Sequence, residues 1–349
     1  MANDQRRWDT AEAVELMRSV RALDAQRGRL RDAVRARPAL TGSALFLAIA
    51  VALLIANGPN AFGQTTVFGV VSGSYFALGA VGLTLVYGVL RLVNFAHGDF
   101  LTFGAYMAFV INVTVGLPLI VAVLFAIATT GAVGVGLELF MWRPMRAKGA
   151  GMLPLLLMSI GLAFVIRNGI QMVAGTGERN LRVNVTSTIA FVGLRIGRTE
   201  LIVVLTSVVV LTLVGLMLRF TRLGKQMRAL ADDAELAETT GIDTNRIIVA
   251  TWLLAGGLAG LAGVLYASAV GVFTPDLGFL LLLSLFAAVI LGGIGDAYGA
   301  LAGGFLLGLI QEWSTLVIDA RWKVAVGFAA LIITLVLRPQ GIFGRARAI

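Results

Sequence analysis

An all-α integral membrane protein with about ten transmembrane helices is the fold this sequence predicts. Three observations predict it. Hydrophobic residues make up 58% of the 349 residues and charged residues only 13%. The mean hydropathy is +0.90. Beyond Pro38 the chain reads as successive apolar stretches of the ~20 residues that a bilayer crossing needs. A soluble fold of this length has too little interior to hide so much apolar surface, whereas lipid solvates the excess.

Two regions follow from the composition: an extension over 1–38 and a transmembrane region over 39–349. The extension carries nine arginines against six acidic residues, and Leu16, Val20, Leu23, Leu30 and Val34 recur at helical spacing. It reads as an amphipathic cytoplasmic helix on the membrane surface or a partner, or as a solvated tail. The apolar spans expected after it are 40–57, 66–90, 99–115, 118–141, 152–174, 200–218, 247–271, 278–295, 297–317 and 323–337. Six of the seven prolines fall between these spans or at their ends, and Pro154 falls in a first turn, where its missing N–H costs little. The first span is the weakest, because its strictly apolar part runs only from Ser43 to Ala56.

Basic residues orient the spans. With both termini in the cytoplasm and ten alternating spans, three clusters fall inside: Arg143, Arg146 and Lys148; Arg219, Arg222, Lys225 and Arg228; and Arg338, Arg345 and Arg347. One longer external loop, 175–199, holds Arg179, Arg182, Arg195 and Arg198 and is rich enough in Val, Thr and Ile to form a small hairpin. Trp142, Trp252, Trp313 and Trp322 fall near span ends, where indoles favour the interface. A charge of +9 distributed this way reflects membrane topology, not nucleic-acid binding.

Several chemistries are excluded. With no cysteine and one histidine, thiolate and multi-histidine metal centres are out of reach, so neither metal nor cofactor is expected. There is no HExxH, no GxSxG and no Walker A sequence. Nucleotide energy therefore has to come from another subunit.

Three polar interruptions remain. Asn94, His97, Gly98 and Asp99 place hydrogen-bonding and ionisable groups at a boundary between spans, where they have to face protein, water or a cavity. Either Asn94 and Asp99 cap the next helix while His97 bonds a carbonyl, or the group lines a translocation path or gate. The connection 219–246 contains Arg228, Leu230, Asp232, Ala234, Glu235, Ala237 and Gly241. Leu230, Ala234 and Ala237 are expected on one face of a short helix that Gly241 stops, a connection or a docking element for another protein. The glycines Gly292, Gly293, Gly295, Gly299 and Gly303, with Gly256 and Gly260 in the seventh span, are expected to serve close helix packing and a tight turn. Finally, Arg167 and Glu312 lie equally far into their spans and are expected to pair, because a charge in lipid needs a partner.

The stretch Leu83-Thr-Leu-Val-Tyr-Gly-Val-Leu followed by Asn94-Phe-Ala-His-Gly-Asp99 resembles the signature of branched-chain amino-acid ABC transporter permeases. Residues 228–246, Gly292-Gly-Ile-Gly and Ser159-Ile-Gly161-Leu are also similar, and the likeness covers 66–344. That family usually carries Glu where this chain has Asp99. The resemblance implies a core like that of type II importers and a bacterial inner-membrane location. It also implies a second homologous permease, two ABC ATPase subunits and a periplasmic solute-binding protein as partners. Residues 228–243 would then couple to the ATPase, and Asn94, His97 and Asp99 would line the path. Branched-chain or other neutral amino acids lead as solutes, with urea and short amides as the alternative. A proton-driven secondary transporter using Asp99, His97 or Glu312, and a membrane scaffold, are the rivals from other classes.

Overall fold

The computed structural model describes residues 38–183, 187–191, 193–338 and 340–342, and the chain divides into two compact units between Gly58 and Pro59. The amphipathic helix expected over 1–38 lies outside the described residues apart from Pro38. Helical residues run Pro38–Leu90 with a break at Gly58, whose φ of 81° and ψ of 163° are not helical. Pro59 follows, and proline disfavours helical backbone in the residue before it. The two stretches are α1 (38–57) and α2 (59–90). In α1, apolar side chains such as Leu47 and Ile55 are exposed, as suits a surface solvated by lipid.

The second unit is built from α2, α3 (His97–Phe109), α4 (Leu119–Leu137), α5 (Arg143–Ala147), α6 (Met152–Ala174), β1 (Thr188–Phe191), β2 (Leu194–Gly197), α7 (Arg198–Phe220), α8 (Arg222–Asp232), α9 (Ala234–Thr239), α10 (Thr244–Val270), α11 (Leu277–Gly292), α12 (Ala297–Ser314) and α13 (Lys323–Leu337). Wide helical turns at Val110–Thr114 and Glu138–Trp142 extend α3 and join α4 to α5. The hairpin expected in the 175–199 loop forms, with β1 and β2 antiparallel.

Helix ends within this unit gather in two layers. One layer joins Gln64 to Arg195, Asn112 to Arg182, Thr66 to Trp313 and Arg179 to Phe273. The other joins Arg91 to Ala231, Thr84 to Gly295, Gly215 to Tyr298 and Leu291 to Ile342. Among the described residues, five helical runs are long and apolar enough to cross a membrane: 46–90, 119–147, 152–174, 198–220 and 244–270. The α11–α12 pair, bent by 120°, qualifies only as a pair. With α3 at 13 residues and α13 at 15, each spans ~20 Å, short of a ~30 Å hydrocarbon core.

Close packing explains the glycines. A Cβ on Gly256 would come 2.7 Å from the Thr130 carbonyl oxygen of α4, and one on Gly260 2.7 Å from the Thr130 hydroxyl. Between α11 and α12, a Cβ on Gly299 would lie 2.6 Å from the Gly292 oxygen, and one on Gly303 2.8 Å from the Gly292 nitrogen. Backbones therefore touch at these crossings, which only glycine permits. Gly293 and Gly295 differ, with φ of 119° and 87°: they make the turn that reverses the chain into α12.

The tryptophans depart from the interface expectation. Trp142 and Trp252 are fully buried and stacked, with ring centroids 5.9 Å apart, so each indole's apolar area is spent on the other and not on the membrane boundary. Trp313 is buried and bonds Thr66, while Trp322 is exposed.

Candidate functional site

The segment Arg91–Ala96 is not helical, and it runs back into the protein instead of ending at a boundary between spans. His97 Nε2 lies 2.9 Å from the carbonyl oxygen of Gly79, eleven residues before the end of α2 at Leu90. Eleven helical residues rise ~16 Å, so six residues climb back beside the last three turns of α2. This corrects the boundary placement of Asn94, His97, Gly98 and Asp99. All four are buried, and α3 begins in the interior. Non-helical backbone at that depth survives only where protein or a cavity satisfies its polar groups.

Much of that satisfaction is visible. The Ala96 N–H donates to Asn94 Oδ1 (3.1 Å), and the Phe95 N–H donates to Ser159 Oγ on α6 (3.1 Å). Because a carbonyl only accepts, His97 donates from Nε2 to Gly79, which leaves Nδ1 as an acceptor. Among the described residues, His97 Nδ1 and Asn94 Nδ2 have no hydrogen-bond partner. Gly98 meets Gly278 of α11 backbone to backbone, and the Gly278 N–H donates to Thr102 Oγ1 (2.9 Å). Asn94 therefore closes a local turn ahead of α3 and does not cap it, because the N-cap, Ala96, has no side-chain cap hydrogen bond. Asp99, in the first turn of α3, is bound instead by a side chain.

That side chain is Arg167, and the expected Arg167–Glu312 pair does not form. Arg167 Nε and Nη2 donate to the two oxygens of Asp99 (3.0 and 3.3 Å), and Nε is 4.0 Å from Asp276 Oδ1. Glu312 instead accepts from Lys323 Nζ (2.9 Å) and Ser72 Oγ (3.1 Å). The physical reason is the premise of equal depth. With Asp99 inside the protein and not at a span boundary, Arg167 has a fully buried carboxylate within reach. The bidentate geometry suits a guanidinium, and the carboxylate in turn needs its charge matched away from water.

The 219–246 connection forms two helices, not one. Thr221 Oγ1 accepts from the Gly224 N–H (3.1 Å) to start α8, and Asp233 accepts from the Leu236 N–H (3.0 Å) to start α9. Asp233 has φ −151° and ψ 112°, which breaks the helix between Leu230 and Ala234. The shared face of Leu230, Ala234 and Ala237 is therefore corrected. Leu230 and Ala237 are buried against their own chain, whereas Ala234, Glu235, Asp232 and Arg228 are exposed. Arg228 donates to the Leu218 carbonyl, and Gly241, with φ 85°, ends the segment as expected.

Sequence reasoning missed Arg91, Asp276 and Leu236. Arg91 is the one non-glycine described residue with positive φ (54°), and its Nη2 donates to the Ala231 carbonyl in the last turn of α8 (2.6 Å). It ties the buried segment to the 219–246 connection. Leu236 is 61% exposed on α9, an apolar side chain among acids. Nothing in the sequence marks Asp276 except its loop position.

A buried polar segment thus enters a bundle of apolar helices, and comparison with known proteins supplies the family. The family described as branched-chain amino acid transport system, permease component, matches residues 65–335. The chain belongs to that family. It is 34% identical to the high-affinity branched-chain amino acid transport system permease protein BraD of Pseudomonas aeruginosa, over 81% of this chain and 95% of that protein. It is 32% identical to the corresponding LivH of Escherichia coli, over 79% and 94%. The ribose import permease protein RbsC of Escherichia coli is 27% identical over 84% and 92%. No solved structure matches. The chain is a multi-pass membrane permease subunit and not an enzyme.

Proposed function

We propose that the chain is the membrane-spanning subunit of an ATP-driven importer for branched-chain amino acids, working in a bacterial inner membrane. A second, homologous permease pairs with it. Two ATPase subunits dock beneath, and a periplasmic solute-binding protein delivers the solute. With both termini in the cytoplasm, the Arg91–Ala231 layer lies on the ATPase side. Alternating access moves the solute, each state being stabilised by its own contacts.

The match over 65–335 to a branched-chain amino acid permease family carries this reading. The exposed part of 228–243 supports docking, with Leu236 offered among Glu235 and Glu238. The Arg91–Ala231 bond supplies a physical route from that surface to Asn94 and His97.

The test is to purify the tagged chain from its native membrane with its companion chains and reconstitute the complex in liposomes. ATP-dependent uptake of labelled leucine, competed by isoleucine and valine but not by urea, is the expected result. Leucine flux through this chain alone, driven by a proton gradient without nucleotide, would overturn the proposal.

A further inference from the structure

One face of α6 carries Leu155, Ser159 and Ala163 into the protein at four-residue intervals, and Arg167 is the next member of that series. Its guanidinium neutralises Asp99, which has no exposed surface. Asp276, 4.0 Å away and half exposed, brings a second carboxylate to the same guanidinium at its open side. Two aromatic rings flank the guanidinium: Phe279 with its centroid 4.2 Å from Cζ and Phe164 at 5.8 Å. Both rings are about half exposed.

Depth makes this arrangement informative. Arg167 precedes the end of α6 at Ala174 by seven residues, ~10 Å along the axis. Asp276 lies within an ion-pair distance of Arg167 and therefore also below that end. A half-exposed carboxylate at this depth is costly against hydrocarbon, and such groups face a water-filled cavity or the interior of a bundle. Arg167 has five N–H donors and spends two on Asp99, so the three at its outer edge have no acceptor among the described residues, and its side chain is 11% exposed.

We infer that this face is a solute site on the translocation path for a zwitterionic α-amino acid with an apolar side chain. Asp276 receives the ammonium, the outer edge of Arg167 receives the carboxylate, and Phe164 and Phe279 seat the side chain. The two charges of an α-amino acid are one carbon apart, which suits two opposite handles separated by a loose ion-pair distance. Asp99 is a positioning residue here: it holds Arg167 in place from behind. The site rests on the import reading above.

The chain contains no cysteine, so a single introduced thiol reports alone within it. In the reconstituted complex, Leu280→Cys and Asn168→Cys, exposed neighbours of Phe279 and Arg167, are treated with a membrane-impermeant thiol reagent, with Phe140→Cys, 85% exposed on the α4–α5 turn, as the lipid-facing reference. Labelling of the two site cysteines should be at least tenfold faster than the reference. Leucine should slow it, while leucinamide, lacking the carboxylate, and isovalerate, lacking the amine, should not. Adding Asp276→Asn should abolish the protection by leucine, and Asp276→Glu should keep it. Site cysteines as silent as the reference, or protection that survives Asp276→Asn, would overturn the site. Leucine uptake by the unmutated complex, measured in parallel, separates the two failures: no uptake breaks the import reading, and uptake with silent cysteines breaks only the site.

Discussion

Residues 91–99 and 221–243 are both polar interruptions between apolar helices, yet they meet their hydrogen-bonding needs in opposite ways. The second lies at a surface, and its own side chains satisfy the backbone at each restart: Thr221, Asp233 and Asp243 each accept from an N–H in the first turn. Water supplements whatever they miss. The first turns inward, where Asn94, His97 and Asp99 are shut off from solvent. Asn94 meets the Ala96 N–H locally, and the other bonds come from neighbouring helices, from Gly79 on α2 and from Ser159 and Arg167 on α6. A surface break is thus a local feature, whereas a buried break is specified by the whole bundle. The buried segment should be brittle and the surface segment tolerant.

The largest effect expected from this contrast is at Arg167. Arg167→Ala leaves the fully buried Asp99 carboxylate without its cation, at a cost of about 3–5 kcal/mol. The melting temperature of the detergent-solubilised protein should fall steeply, and pairing Arg167→Gln with Asp99→Asn should recover most of the loss. An unchanged melting temperature for Arg167→Ala would mean that the ion pair does not hold the interior segment.

Next come two leucines on the surface segment. Leu230 is buried, so Leu230→Asp removes about 1.5–3 kcal/mol of apolar burial and adds an unpaired charge, destabilising the permease itself. Leu236 is exposed, so Leu236→Asp should leave the melting temperature alone and weaken co-purification of the ATPase. Equal melting losses in both variants would erase the distinction between inner and outer faces of α8 and α9.

Arg91 joins the two regions. Its hydrogen bond to Ala231 comes from a charged donor, a class worth about 1.5–3 kcal/mol when buried and less at an exposed side chain. Arg91→Ala should therefore cost little stability but lower the solute moved per ATP hydrolysed. If transport and hydrolysis fall in equal proportion, the tie is not a transmission route.

The contrast between the two regions also explains what the sequence revealed. Apolar runs, glycine crossings and the stop at Gly241 are written in composition and local spacing, and they reappear in the fold. The polar residues of the 91–99 segment were recognisable as costly in lipid. Their depth was not, because a six-residue return beside α2 depends on acceptors from α2 and α6 that no local pattern announces. The Arg167 partner was misassigned for the same reason: burial of Asp99 is a tertiary fact. The break at Asp233 was locally legible, since an aspartate three residues before the Leu236 N–H is a cap, but the apolar spacing of Leu230, Ala234 and Ala237 concealed it.

The smallest expected effects come from a pair of side chains that each accept from one backbone N–H. Asp233→Ala frees the Leu236 N–H at an exposed site, where water replaces the carboxylate, and should cost about 1 kcal/mol. Ser159→Ala frees the half-buried Phe95 N–H, also loses the hydroxyl's bond to the Leu156 carbonyl, and should cost about 1–3 kcal/mol, the penalty of a donor left unpaired away from solvent. Melting temperatures of the two single variants and of the double variant test this directly. The sites share no partner, so the losses should add. A larger loss for Asp233→Ala than for Ser159→Ala would show that burial does not set the cost of breaking these segments, and the comparison of the two regions would fall.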